Sequence, residues 1–449
     1  MMRELIKTIL LTVLVLLSFF LTWNIWTFQG DFEEVEPQVT NNQVSIDMGY
    51  NLNEIVKPYQ FLIQDQNVVY GTVDRVEVDK MFDALLNAKW TVPVSNSIND
   101  KDLPSREYDL LFPAPITSEI IKSLFSFTKD NTNIPATAVN RMALYVDDAH
   151  GKEHANTTLV FKDQTGKNIF YATSKNFNIS KINSLSGSWA DLGEDWVPYT
   201  RVMVRGNKEV FLPTHSTQLD QKKFLYEPVQ IEKFERILFP DLGSVQEHNG
   251  VYSDGVNTLS QDQDVLTFSS GSGSQNISQD MDTIYDSWMK INSYQGWTDK
   301  YIYDSYTSKP ASGESEVGFR IMVDDLPVYS LSNKYQAMIH LKWNKGQLLE
   351  QDRTLINLNT VAFSESHGKK LQSAQEVLQT LQNDKISLKD VQDIRMGYIM
   401  VQDTEAQIVT MTPAWLYEKN DEWHQLFTDS DLAAQVKQNE VQNMGGNDQ

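Results

Sequence analysis

Twenty consecutive residues without a charge, Ile9 to Phe28, constrain this chain more than any other feature of it. At 1.5 Å of rise per residue, a helix of that length crosses a hydrocarbon core of about 30 Å. A secretory signal has a shorter apolar core, about 7–15 residues, and ends at small residues of the Ala-x-Ala kind. Here the first alanine of the chain is Ala84, and no cysteine is available for lipid attachment. Trp23, Trp26 and Phe28 stand at the exit, as rings that settle at a headgroup boundary do. The expectation is a retained transmembrane helix over 9–28. Arg3 and Lys7 precede it, and Asp31, Glu33, Glu34 and Glu36 follow it. The positive-inside rule then puts residues 1–8 in the cytoplasm and the bulk of the chain outside, on a single-pass anchor in the cell membrane.

A chain of 449 residues, 41% of them hydrophobic, can fill two or three exported domains. Its formal net charge of −22 argues against nucleic acid or anionic lipid as a partner, since either needs a basic surface. Without cysteine there are no disulfides, no thiolate chemistry and no Cys-based zinc site. That composition fits a Gram-positive bacterial surface better than a eukaryotic secretory protein.

Residues 29–50 are polar and read as a tether. Beyond them strands and helices alternate irregularly. The segment 76–90 is helical in pattern, with Met81, Leu85 and Trp90 near one face, and 106–116 reads as a strand stopped by Pro113 and Pro115. Thr117 caps a helix over 117–125. Hairpins are expected around 162–167, at Gly206-Asn207 and at Asp254-Gly255. Composition shifts at "THSTQLDQKKFLYEP", where a domain boundary is placed. Helices follow over 229–239, over 279–291 with Met281, Ile284, Tyr285 and Trp288 turned inward, and over 369–384 with Leu371, Ala374, Val377, Leu378 and Leu381 on one stripe. Meanders of strands with interspersed helices and no regular βαβα alternation give an α+β fold on antiparallel sheets with packed helices. The organisation expected is an N-terminal α+β domain at 51–218, a middle one at 219–298, a C-terminal one at 299–428, and a polar tail at 429–449.

Catalytic patterns are thin. "HGKEH", His150 to His154, matches the H-x-x-E-H string of inverted zinc peptidases, which needs a helix to turn both histidines to one metal. Gly151 and the flanking strand patterns favour a polar turn instead. Ser126-x-x-Lys129 and Ser287-x-x-Lys290 lack the S-D-N and K-T-G partners of penicillin-interacting enzymes. "SSGSGSQN" lacks the ending of a phosphate-binding loop. A glycosidase carboxylate pair is defined by spatial distance alone. Tyr301, Tyr303 and Tyr306 read as sheet packing rather than a sugar platform. The expectation is no catalytic residue, no metal site and no cofactor.

In the apolar run, Thr8, Thr12, Ser18 and Thr22 fall within about 120° of helix arc, with Leu11, Val15 and Phe19 between them. Such a face allows close helix approach in lipid, while the same hydroxyls can equally bond back to their own helix.

The opening "MRELIKTILLTVLVLLSFFLTWNIWTFQ" resembles the start of the YycH proteins of low-GC Gram-positive bacteria, with Thr22, Trp23, Asn24 and Trp26 at the exit. "LLFPAPI" (Leu110 to Ile116), "YSDGVNTL" (Tyr252 to Leu259) and "TPAWLY" (Thr412 to Tyr417) are similar to that family too, in the same order. The resemblance implies a three-domain α+β exported part without known catalysis. It also implies a regulator of the WalK (YycG) sensor histidine kinase, working with a companion, YycI, through touching membrane helices in control of cell-wall metabolism. That favours Thr8, Leu11, Thr12, Val15, Ser18, Phe19 and Thr22 as a contact face. The competing class is an anchored cell-wall hydrolase or wall-polymer-binding protein, which calls for a polar cleft.

Overall fold

The stretch from Gln60 to Thr117 already contains the logic of the first half of the molecule. Two apolar-rich strands flank an amphipathic helix whose buried residues, Val78, Met81, Phe82 and Leu85, recur at helical spacing. The computed structural model describes residues 45–93, 98, 103–128, 134–147, 154–178, 192–271 and 282–427. The run 9–28, the face from Thr8 to Thr22, most of the 29–50 segment, His150 and the tail beyond 427 lie outside them. Among the described residues no helix is long and apolar enough to cross a membrane.

Strands β1 (Gln60–Asp65), β2 (Val68–Thr72), β4 (Arg106–Thr117), β6 (Ala138–Val146), β7 (His154–Lys162), β8 (Asn168–Asn178), β9 (Val197–Met203) and β10 (Glu209–Pro213) form one sheet, in the order β10-β9-β2-β1-β4-β6-β7-β8. Every pairing in it is antiparallel. Helices α1 (Leu52–Ile55), α2 (Arg75–Leu86) and α3 (Ser118–Leu124) precede or follow these strands. The Asp74 and Thr117 side chains cap α2 and α3 by accepting from backbone N–H groups of their first turns. Phe82 packs edge-on against Phe112 and Phe125, with ring centroids 5.9 and 6.4 Å apart. Trp90 is not on the helix. Helix α2 ends at Leu86, and Trp90 lies in β3 (Lys89–Trp90), which runs parallel to β5 (Ser126–Phe127). Fully buried, it satisfies its indole N–H on the Leu85 carbonyl at 2.8 Å.

The prolines at 113 and 115 do not end β4. The strand runs on to Thr117, and its register against β6 jumps between Leu111 and Ile116. Residues lacking an N–H sit where the ladder asks nothing of them.

The second sheet has fourteen strands. They are β11 (Thr217–Pro228), β12 (Gln246–His248), β13 (Val251–Ser253), β14 (Asn257–Asp262), β15 (Val265–Ser270), β16 (Tyr301–Lys309), β17 (Glu314–Val323), β18 (Leu326–Tyr329), β19 (Met338–Asn344), β20 (Gln347–Thr354), β21 (Ile356–Leu371), β22 (Asp393–Asp403), β23 (Ile408–Lys419) and β24 (Glu422–Gln425). Its main path is β12-β13-β14-β15-β20-β19-β17-β18-β22-β23-β11-β21, with β16 on β17 and β24 on β23. The residues read from sequence as a boundary therefore form β11, held between β21 and β23. One junction departs from the antiparallel rule: β18 and β22 run parallel, with Val328 opposite Tyr398. Here Gly397 is needed for closeness, because a Cβ would stand 2.6 Å from the Pro327 carbonyl oxygen.

Among the described residues three helices cover this sheet: α4 (Ile231–Leu238), α5 (Thr283–Ser293) and α6 (Ala374–Asn383). In α5, Ile284, Ser287 and Ile291 are buried, while Tyr285 and Trp288 are partly so; Met281 lies outside the described residues. In α6 the stripe Ala374, Val377 and Leu381 is buried, and Ser373 with Glu376 makes a capping box. Leu371 belongs to β21, not to that helix. The α6 stripe shares a core with Val202, Val204, Val210 and Leu212 of the β9–β10 hairpin, so the edge of the first sheet packs on the second half. That hairpin turns as expected at Gly206, whose φ of 71° suits glycine.

Residues 45–50 are also docked. Asp47 N donates to Gln295 O at 2.8 Å, Tyr50 N to Asn292 Oδ1 at 2.8 Å, and Met48 bridges Trp297.

Candidate functional site

A cleft of about 1190 Å³ opens where the two sheets meet. Its walls come from β4 at Pro113–Pro115, the β9–β10 turn at Arg205 and Lys208, β16 from Asp304 to Thr307, and β24. Arg395 lies in its wall, carried inward by β22 two residues after Asp393, on the same face of the strand. The guanidinium donates from Nη1 to Asp304 Oδ1 at 2.8 Å, from Nε to Asp393 Oδ2 at 2.8 Å, and from Nη2 to the Pro113 carbonyl at 2.7 Å. Arg320 of β17 donates to the other Asp304 oxygen at 2.6 Å, and Lys208 reaches Asp393 at 2.9 Å. Tyr303 OH donates to the Pro115 carbonyl at 2.5 Å. The carbonyls beside the two β4 prolines, freed from the ladder by the register jump, thus become acceptors that bind one sheet to the other.

Electrostatics follow from this geometry. Burial pushes the Asp304 carboxyl up, but Arg320 and Arg395 outweigh it and hold it below its ordinary pKa. Asp393 is likewise lowered, with Arg395 and Lys208 overriding its burial. The aromatic rims are cationic–π partners: Arg320 lies 4.2 Å from the Tyr329 ring centroid and Arg395 5.3 Å from that of Trp423. Glu418, also in the cleft wall, takes the opposite course. Burial and then the nearby Asp393 raise it to about 7. Among the described residues, the Tyr329 hydroxyl is buried in this wall with no hydrogen-bond partner.

The chemistry-bearing candidates of the sequence fall elsewhere. His154 opens β7, and the rest of "HGKEH" lies outside the described residues. Ser287 is a packing residue of α5, donating to Thr283 O at 2.6 Å and accepting from Trp343 Nε1 at 2.9 Å. Ser126 sits in β5, and Lys129 lies outside the described residues. Tyr301 and Tyr303 are buried in the core, while Tyr306 lines the cleft. Sequence reading missed Asp304, Arg320, Asp393 and Arg395. A signal was present: charged residues inside otherwise apolar strands, as in "KYIYDSY" and "DIRMGYIM".

The sequence profile of the YycH protein, N-terminal domain, matches residues 4–188, and that of the YycH protein, C-terminal domain, matches residues 207–431. The chain belongs to the YycH family. Its "LLFPAPI" is the very segment whose proline carbonyls join the sheets. The two-component system WalR/WalK regulatory protein YycH of Bacillus subtilis (strain 168) is 23% identical over 449 residues, covering 94% of this chain and 95% of that protein. The crystal structure of YycH from Bacillus subtilis superposes with a TM-score of 0.69 at 19% identity, over 86% of this chain and 100% of that one. The YycH-family fold extends through both sheets.

Proposed function

We propose that this chain is a non-enzymatic, membrane-anchored regulator of a two-component system, acting on a sensor kinase of the WalK (YycG) type. The helix 9–28 anchors it with residues 1–8 in the cytoplasm, and the described residues stand outside the cell. The face Thr8, Leu11, Thr12, Val15, Ser18, Phe19 and Thr22 meets the membrane helices of the kinase and of a YycI-like companion, and the output is control of cell-wall metabolism. The observation that carries this reading is family membership along nearly the whole chain, together with the regulatory role in the name of the Bacillus subtilis relative. Asp304 and Asp393 are tied by arginines and kept ionised, which withdraws both from acid catalysis. The domain divisions at 218 and 298 remain part of this proposal.

The test is a pair of double substitutions read by crosslinking or two-hybrid signal to the kinase and the companion. Each cross-helix hydrogen bond is worth about 0.6 kcal/mol on average, so two are changed at once. Thr12→Leu with Ser18→Leu is expected to weaken association, and Val13→Leu with Leu17→Ile on the far side is not. Equal signals at equal membrane levels would reduce the helix to a tether and move binding to the exported part. A mature protein beginning beyond Phe28 would overturn the anchor.

A further inference from the structure

One wall of the cleft holds a second cluster that the Arg395 network does not use. In the second sheet β17, β19 and β20 are neighbours, and their register sets Glu316 opposite Lys342, His340 opposite Asp352, and Lys342 opposite Glu350. Residues two apart share a face, so Glu316, His340, Lys342, Glu350 and Asp352 all project to one side. His340 Nδ1 lies 3.4 Å from Asp352 Oδ2, and its Nε2 lies 3.4 Å from Glu316 Oε2. Thr267 donates to the other oxygen of Asp352 at 2.7 Å. One ligand atom each from His340, Glu350 and Asp352 falls within 4.8 Å of the other two, with His340 and Asp352 buried.

We infer that His340, Glu350 and Asp352 form a binding site for a divalent transition-metal cation of the zinc type, with Glu316 orienting the imidazole.

Donor chemistry and charge both point this way. Three carboxylates converge on one imidazole, and against them Lys342 of the same face lies 3.8 Å from Glu316. With Asp352 buried and two more carboxylates beside it, the cluster carries negative charge that a cation would balance. A ligating histidine characteristically gives its other ring N–H to a carboxylate, which fixes the tautomer. Glu316 is placed to take the Nε2 proton, leaving the Nδ1 lone pair toward Asp352 and Glu350. An imidazole with two carboxylates selects zinc-like ions over magnesium or calcium, which prefer all-oxygen sets. Ligands of tetrahedral zinc stand about 3.3 Å apart at bond lengths of about 2.0–2.1 Å. The half-buried Glu350 is the one that must close in. Glu350, half exposed, leaves the site open to solvent, while His340 and Glu316 line the cleft beside it. Zinc here would clamp β19 to β20, with β17 joined through Glu316, independently of how the chain meets a kinase.

The experiment uses the full chain, stripped with chelator and dialysed, then titrated with Zn²⁺ by calorimetry and with Co²⁺ by visible absorption. The expected result is a single equivalent of zinc and the intense visible bands of tetrahedral cobalt. Both are lost in Glu350→Gln and His340→Gln and retained in His248→Ala, an exposed histidine of β12. Glu316→Gln should weaken affinity about 10–100-fold, as removal of an orienting partner does. Glu350→Gln decides the matter even if the buried His340→Gln fails to fold. No bound zinc in the unaltered chain, or undiminished affinity in Glu350→Gln, would overturn the site and leave His340 as a histidine held between carboxylates.

Discussion

Arg395 and Pro113, 282 residues apart in sequence, are joined by a 2.7 Å hydrogen bond from Nη2 to the carbonyl oxygen. The same guanidinium binds Asp304 and Asp393, so one side chain ties a strand of the first sheet to β16 and β22 of the second. Its planar fork spreads Nε, Nη1 and Nη2 to three separate acceptors, a span that the compact ammonium of a lysine does not cover.

Arg395→Met should therefore destabilise the protein by up to about 3–5 kcal/mol, because it takes one of two cationic partners from each of the buried carboxylates Asp304 and Asp393 and leaves Arg320 and Lys208 to hold them alone. Arg395→Lys should recover only part of that loss. Urea unfolding followed by tryptophan fluorescence reads both. A loss below about 1 kcal/mol, the scale of an exposed pair, would show that the network is not buried in solution.

Glu418 gives a pH signature. Its folded pKa of about 7 lies above the ordinary 4.5, so between those values the folded state holds more protons than the unfolded one. Its contribution is complete below 4.5 and is lost as pH rises through about 7. Glu418→Gln removes the slope. Relative to the unaltered protein it should be more stable at pH 8 than at pH 4, in thermal midpoints taken across that range. A difference independent of pH would disprove the raised pKa.

Asn292 holds the entry of the chain into the fold. Its Oδ1 accepts from Tyr50 N at 2.8 Å and from Trp297 Nε1 at 3.2 Å. Asn292→Ala leaves both donors without that acceptor, at a local cost of about 1–3 kcal/mol. Hydrogen exchange should quicken at Asp47 and Tyr50 while β22 and β23 keep their protection. Unchanged exchange at 45–50 would mean that other contacts suffice to dock this segment.

Local chemistry was legible in the sequence. Turns at Gly206 and Gly255 follow from positive φ, and the stripes of α2 and α6 follow from helical spacing. An α+β fold with largely antiparallel sheets was readable as well. Strand β11 was not, since only Tyr226 among its residues is buried and its pattern is polar. It is a strand because β21 and β23 supply its hydrogen bonds. The parallel seam of β18 and β22 was hidden too, because both are largely apolar strands and their pairing is set by how distant strands meet.

By itself the sequence determined which segments could be strands, helices or turns, and it carried the family's motifs from one end to the other. It did not disclose that Pro113 and Pro115 would lend their carbonyls to the second sheet, or that Asp304, Asp393 and His340 would find charged partners. Periodicity along a chain reports which face of an element is apolar. Whether a charge on that face is solvated, paired or poised for a cation depends on strands that arrive from far away, and only the tertiary structure brings them together.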